Sequence, residues 1–278
     1  MRWLAAVEEL RSSRRAGVLV TLVAVRGHGP REPGAKMVVA ADATWDSIGG
    51  GNVEATAIER ARSLLETGER SPVTFGLDLS DKAPGEHGVQ CCGGEVTVLL
   101  EPLGVRPAVA VFGVGHVGLE LARILARHDL DLHLVDSRRG QLGDDVLAPL
   151  ADADARLFVH HEAMLPELVL AELPPGTHVL VMTHDHAEDL ALLDAALRST
   201  HLGPVGVIGS SAKWTRFRAT LVADGHDVSA VDAIVTPIGL PGVDGKDPAT
   251  IAVSVAAALL RSFADEPAVP QPRRGTAT

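Results

Sequence analysis

The chain has 278 residues, 46% hydrophobic and 22% charged, enough for one large packed domain or two modest ones. Its formal net charge of −11 argues against a general nucleic-acid binder, which carries a basic face, and its apolar runs fall short of the ~20 residues of a membrane helix. Met1–Leu10 includes Glu8 and Glu9 and lacks the apolar stretch of a secretion signal, so a cytoplasmic location is expected.

Aromatic residues make up only 3% and tyrosine is absent, leaving an aliphatic core of the kind that suits strands buried on both faces. Trp3–Arg11 reads as a short amphipathic helix and Gly17–Val25 as an aliphatic strand. Two short strands are expected at Met37–Ala40 and Thr44–Ile48. A helix follows at Asn52–Glu66, with Val53, Ala57, Ile58, Ala61, Leu64 and Leu65 on one face and Gly68 placed to stop it. Val73–Leu79 and Glu95–Glu101 are further strands. This first domain, residues 1–104, is α/β without a βαβαβ repeat.

Pro102–Pro107 separates two strand-like runs and sets the boundary. From residue 105 to 263 strands and helices alternate. Strands are expected at Val109–Phe112, Asp131–Val135, Ala155–Val159, His178–Met182, Val205–Ile208 and Ile234–Val235. Helices fall at His116–Arg127, Ala163–Glu172, Ala187–Thr200 and Ala212–Asp224. Such alternation indicates a Rossmann-like, doubly wound parallel sheet. Asp247 as N-cap and Pro248 at the first helical position announce a last helix through Ile251–Leu260. Ala264–Thr278, rich in Pro, Ala, Arg and Thr without periodicity, reads as a disordered tail.

Three motifs carry chemistry. Gly113-Val114-Gly115-His116-Val117-Gly118 lies between a strand and a helix: Gly113 permits the turn, Gly115 lets backbone approach a pyrophosphate, and Gly118 packs helix on strand. Asp136 ends the next strand, where an acid can accept a ribose hydroxyl. Nucleotide binding and a ligand-free Rossmann domain both remain open on this pattern.

Ile48-Gly49-Gly50-Gly51-Asn52-Val53-Glu54 runs from a strand into a helix. Gly49, Gly50 and Gly51 leave amides uncovered for an anion, and Glu54 either serves the site or complements the helix dipole. The third motif, Gln90-Cys91-Cys92-Gly93-Gly94, holds the only cysteines of the chain. Thiolates are soft metal ligands and nucleophiles, whereas two buried small hydrophobes at a turn are the structural alternative. Four zinc ligands at suitable spacing are not visible.

Thr183-His184-Asp185-His186 follows a strand at the edge where open α/β sheets bind ligands. A His-x-His pair can hold metal, although solvated loop histidines are commoner. Gly209-Ser210-Ser211 with Lys213, Arg216 and Arg218 offers an anion site or an exposed basic helix face.

These segments, in this order and with Pro237-Ile238-Gly239-Leu240-Pro241-Gly242 through Lys246, resemble the XdhC/CoxI family, specifically its xanthine dehydrogenase branch. The resemblance implies a chaperone that binds molybdenum cofactor (molybdopterin), protects it and supports its sulfuration with a cysteine desulfurase. It further implies delivery to the molybdenum subunit of apo xanthine dehydrogenase. On this resemblance Cys91 and Cys92 become sulfur contacts to the metal, and Gly49, Gly50 and Gly51 cradle the pterin phosphate. Many relatives carry a cysteine in the first glycine-rich motif where this chain has Gly51-Asn52, so no metal ligand transfers to that loop. A homodimer would help enclose a labile cofactor. The competing expectation is an NAD(P)-dependent oxidoreductase built on Gly113–Gly118 and Asp136, for which no convincing acid/base pair is evident.

Overall fold

The computed structural model describes residues 2–79, 94–162 and 165–265, in two compact units that divide between Val105 and Arg106. The first unit comprises α1 (Trp3–Ser12), β1 (Gly17–Arg26), β2 (Lys36–Val39), β3 (Thr44–Asp46), α2 (Gly51–Thr67), β4 (Val73–Asp78) and β5 (Glu95–Leu103). Its strands form one sheet in the order β3-β2-β1-β5-β4, every neighbouring pair antiparallel. Alternate residues along a strand face opposite sides. Val18, Val20 and Leu22 of β1 and Val96, Val98 and Leu100 of β5 therefore pack against Val53, Ala57, Ala61 and Leu65 of α2. Val38 and Ala40 meet Ala6 and Leu10 of α1 in a separate cluster. At roughly 1.5–3 kcal/mol per buried Val or Leu side chain, this packing holds both helices to the sheet. Gly68 ends α2 in the left-handed conformation, its N–H donating to Leu64 O.

The second unit comprises β6 (Ala108–Phe112), α3 (His116–Leu125), β7 (Asp131–Asp136), α4 (Asp144–Leu147), β8 (Arg156–His161), α5 (Val169–Glu172), β9 (His178–Val181), α6 (His186–Arg198), β10 (Val205–Val207), α7 (Ser211–Ala223), α8 (Val228–Asp232) and α9 (Pro248–Asp265). The sheet order is β10-β9-β6-β7-β8, and all pairs are parallel. Every residue of β6, β7, β9 and β10 is buried, because one face packs on α3 and α9 and the other on α6, α7 and α8. The chain winds outward through β7 and β8, then returns to β9 on the far side of β6. The carboxyl ends of β6 and β9 thus flank the switch point, where open α/β sheets bind ligands.

Several expectations are corrected. Ile234–Val235 forms no sixth strand, only one bridge from Val235 to Gly206. The run is confined between α8 and Pro237, which has no N–H to extend a ladder. The helix expected over Ala163–Glu172 is a 3₁₀ turn at Pro166–Leu168 followed by α5. Pro166 disfavours helical backbone at Leu165, which sits at φ −139 and ψ 68. Ala264 and Asp265 belong to α9 rather than to a tail. By length and composition α9 could cross a membrane, but its Ala252, Val255, Ala256, Leu259 and Phe263 lie in the core beside α3, which makes it a core helix.

Candidate functional site

In the first unit the glycine turn before α2 is organised around one carboxylate. Glu54 Oε2 accepts from Ser47 Oγ at 2.5 Å, from Ile48 N at 3.2 Å and from Gly50 N at 3.0 Å. Gly49 N donates to Ser47 Oγ at 3.0 Å. Gly49, Gly50 and Gly51 all have positive φ, a backbone state that aims successive amides into one concavity. The amides of Ile48 and Gly50 do converge, and the point where they meet is taken by Glu54. A phosphate at these amides would have to displace that carboxylate.

The connection between β1 and β2 packs against this turn and against Gly94, the last residue of the cysteine motif. A Cβ on Gly49 would stand 2.5 Å from Pro30 Cβ, and one on Gly94 would stand 2.2 Å from His28 O and 2.6 Å from Arg26 O. Such approaches leave no room for a side chain. Gly94 O also accepts from Leu79 N at 2.7 Å, so Leu79 and Gly94 are pinned side by side at the end of the β4–β5 pair. Gln90, Cys91, Cys92 and Gly93 lie outside the described residues. Sequence reasoning passed over Gly27–Ala35; its signal was the cluster Gly27-His28-Gly29-Pro30 and Pro33-Gly34.

In the second unit the fingerprint has the predicted setting. Gly113 follows β6 at φ +103, and its Cβ position lies 2.3 Å from Met182 O, while that of Gly118 lies 2.1 Å from Gly113 O. Asp136 ends β7 as expected, but its carboxylate faces inward. Oδ2 accepts from Val114 N at 2.7 Å and from Arg138 Nη2 at 2.9 Å, and Oδ1 from Arg138 N at 2.8 Å and Nε at 2.9 Å. Burial works to raise the Asp136 pKa, but the bonds from Arg138 and Val114 outweigh it and hold the carboxyl below its ordinary value. With both oxygens engaged, Asp136 offers no free acceptor to a ribose, and the geometry lends no support to an NAD(P) reading that depends on it.

Across the switch point Ser137 Oγ donates to Glu188 Oε2 at 3.0 Å. Burial pushes the Glu188 carboxyl up and the Ser137 bond and His184 oppose this, while Asp136 and Asp189 add to it. The turn after β9 is tied to that after β10 through a buried ion pair. Asp189 Oδ1 accepts from Thr183 N and Oγ1 at 3.1 and 2.8 Å. Lys213 Nζ donates to Asp189 Oδ2 at 2.5 Å and to Ile208 O at 2.9 Å. Lys213 is thereby committed to holding two turns together, and Arg218 is committed to Asp232. Two of the basic residues near Gly209-Ser210-Ser211, Lys213 and Arg218, are thus engaged with carboxylates of the chain itself. Ser210 caps α7 through Lys213 N, and Asp185 caps α6 through Ala187 N and Glu188 N. His184 and His186 are exposed. Among the described residues no group of three or more His, Cys, Asp or Glu could hold a metal ion.

A family model described as the XdhC Rossmann domain matches residues 109–259, and one described as the XdhC and CoxI family matches residues 10–76. The chain is 27% identical over 244 residues to an uncharacterized protein of Escherichia coli strain K12, YqeB, covering 87% of this chain and 43% of YqeB. It thus spans under half the length of that relative. It is 28% identical over 284 residues to the molybdenum cofactor insertion chaperone PaoD of the same organism, covering 91% of this chain and 85% of PaoD. A crystal structure described as a xanthine dehydrogenase from Bacillus halodurans is similar at 20% identity and a TM-score of 0.48, covering 96% of this chain and 97% of that one.

Proposed function

The chain belongs to the XdhC and CoxI family, and from that premise we propose that it carries molybdenum cofactor during the maturation of a molybdoenzyme. Likeness to PaoD along most of both chains supports the reading. The observation that carries it is the shared anchorage of two glycine-rich motifs on Gly27–Ala35, with Pro30 against Gly49 and His28 against Gly94. Chain connectivity then keeps Cys92 within two residues of a pinned backbone position. Thiolates suit a thiophilic metal, so Cys91 and Cys92 are the residues proposed to contact molybdenum.

The finer proposal is that the protein shields the cofactor, supports its sulfuration by a cysteine desulfurase, and passes it to the molybdenum subunit of xanthine dehydrogenase. The cofactor supplies the metal chemistry of the client; this chain binds, shields and releases. The turn at Gly49–Gly51 fits a phosphate poorly while Glu54 holds its amides, so the thiol pair carries the greater part of the proposed retention.

The test is molybdenum and pterin content after anaerobic incubation with cofactor and desalting. Near-stoichiometric retention is expected, with affinity falling at least about tenfold in the Cys91→Ala/Cys92→Ala variant if the two lost metal contacts together are worth about 1.4 kcal/mol or more. Equal retention by the well-folded double variant would remove the thiols from the site, and no retention by the parent protein would end the carrier reading.

A further inference from the structure

We propose that the crevice of the second unit contains a phosphomonoester subsite centred on Arg138. In Rossmann domains an acid after the second strand accepts a ribose hydroxyl, and a nearby arginine instead accommodates a phosphate on that ribose. Here the acid is spent: Asp136 is 2% exposed and accepts only from Val114 and Arg138 in the bonds described above. The arginine is not. A guanidinium has five N–H donors, and Asp136 engages one at Nε and one at Nη2. The side chain remains 35% exposed, alongside the fingerprint turn, where a Cβ on Gly115 would stand 3.9 Å from Nη2.

The bidentate pair fixes the plane of the guanidinium before any ligand arrives, which lowers the ordering cost of phosphate binding. The turn at Gly49–Gly51 is the opposite case, since its amides already hold a carboxylate. Two carboxylates oppose an anion at Arg138: Asp136, which is paired with it, and Glu188, which is bonded to Ser137; both act electrostatically on Arg138. The ligand chemistry has two sources, a nucleotide with a phosphate on its ribose and the terminal phosphate of a pterin cofactor. Only the second rests on the carrier reading.

The full chain, with Arg138→Gln and Glu188→Gln, would be titrated calorimetrically with NADP+ and NAD+, and pterin retention measured in parallel after desalting. The expected result is a phosphomonoester-dependent affinity about tenfold or more above that of Arg138→Gln, the scale of one charged hydrogen bond. Preference for NADP+ over NAD+ that vanishes in Arg138→Gln identifies the nucleotide. Pterin retention that falls in Arg138→Gln, without NADP+ preference, identifies the cofactor phosphate. If the parent chain holds no pterin, the NADP+ to NAD+ ratio alone decides, and a ratio near one overturns the subsite. Independence of both readouts from Arg138 overturns it equally. Should Arg138→Gln fail to fold, Glu188→Gln decides: removing that opposing charge strengthens phosphomonoester binding several-fold, and unchanged binding counts against the proposal.

Discussion

The glycine-rich turns before α2 and after β6 each place a carboxylate on backbone amide, and they do so to opposite effect. Before α2, Glu54 reaches back from the first helical turn to Ile48 N and Gly50 N. After β6, Val114 N is met by Asp136, which arrives from the next strand and brings Arg138 with it. The first arrangement is local and leaves a net negative group at the turn. The second pairs its carboxylate with a guanidinium, and leaves the remaining N–H donors of that neutral pair facing solvent. Glycine content alone does not make an anion site; what matters is whether the protein has already supplied the anion, and whether a cation follows it.

The largest break of this contrast is Asp136→Ala. It leaves Val114 N without its acceptor and frees Arg138, and removing one member of a buried pair costs about 3–5 kcal/mol, toward the lower end here because Arg138 is partly exposed. Urea unfolding of the second unit would show it as a lowered midpoint at unchanged slope. Glu54→Ala has the smaller effect, about 1–2 kcal/mol, because its partners at a half-exposed turn can bond water instead. Comparable losses from both substitutions would dissolve the distinction between the two turns.

The smallest effect lies in pH. The folded Asp136 pKa is lowered, so its contribution to stability is present above the unfolded value of about 3.9 and is lost as pH falls through the folded value. The Glu188 pKa is raised, so the folded state keeps that proton longer than the unfolded one. Its contribution then declines as pH rises from about 4.3 through the folded value. Unfolding midpoints measured against pH should show Glu188→Gln removing the second decline and sparing the first. A variant that tracks the parent at every pH would dismiss Glu188 as the group responsible.

Much of the second unit was legible because its strands are buried on both faces and read as aliphatic runs, and because Asp247-Pro248 marks the start of α9 without ambiguity. The antiparallel order of the first unit was not: short strands such as β3 carry no partner information, since pairing is set by packing against helices distant in the chain. Asp136 was found by its spacing, but spacing is blind to Arg138 two residues on, which closes on it within the same turn. Glu54 was noticed as a first-turn acid, and its capture of the amides depends on positive φ at Gly49 and Gly50 that sequence permits without requiring. Pro30 and His28 were missed because their role is steric, a matter of what they stand against.

The connection Gly27–Ala35 has a consequence for how this chain tolerates change. Surface connections ordinarily absorb inserted or deleted residues at little cost. This one is clamped at its base, with Leu22 N donating to Ala35 O at 2.9 Å and Gly34 N to Leu22 O at 2.7 Å, and its interior touches Gly49 and Gly94 at once. One added residue would disturb the packing at Gly49 and at Gly94, more than forty positions apart in the chain. Its length, more than its composition, is the quantity under constraint.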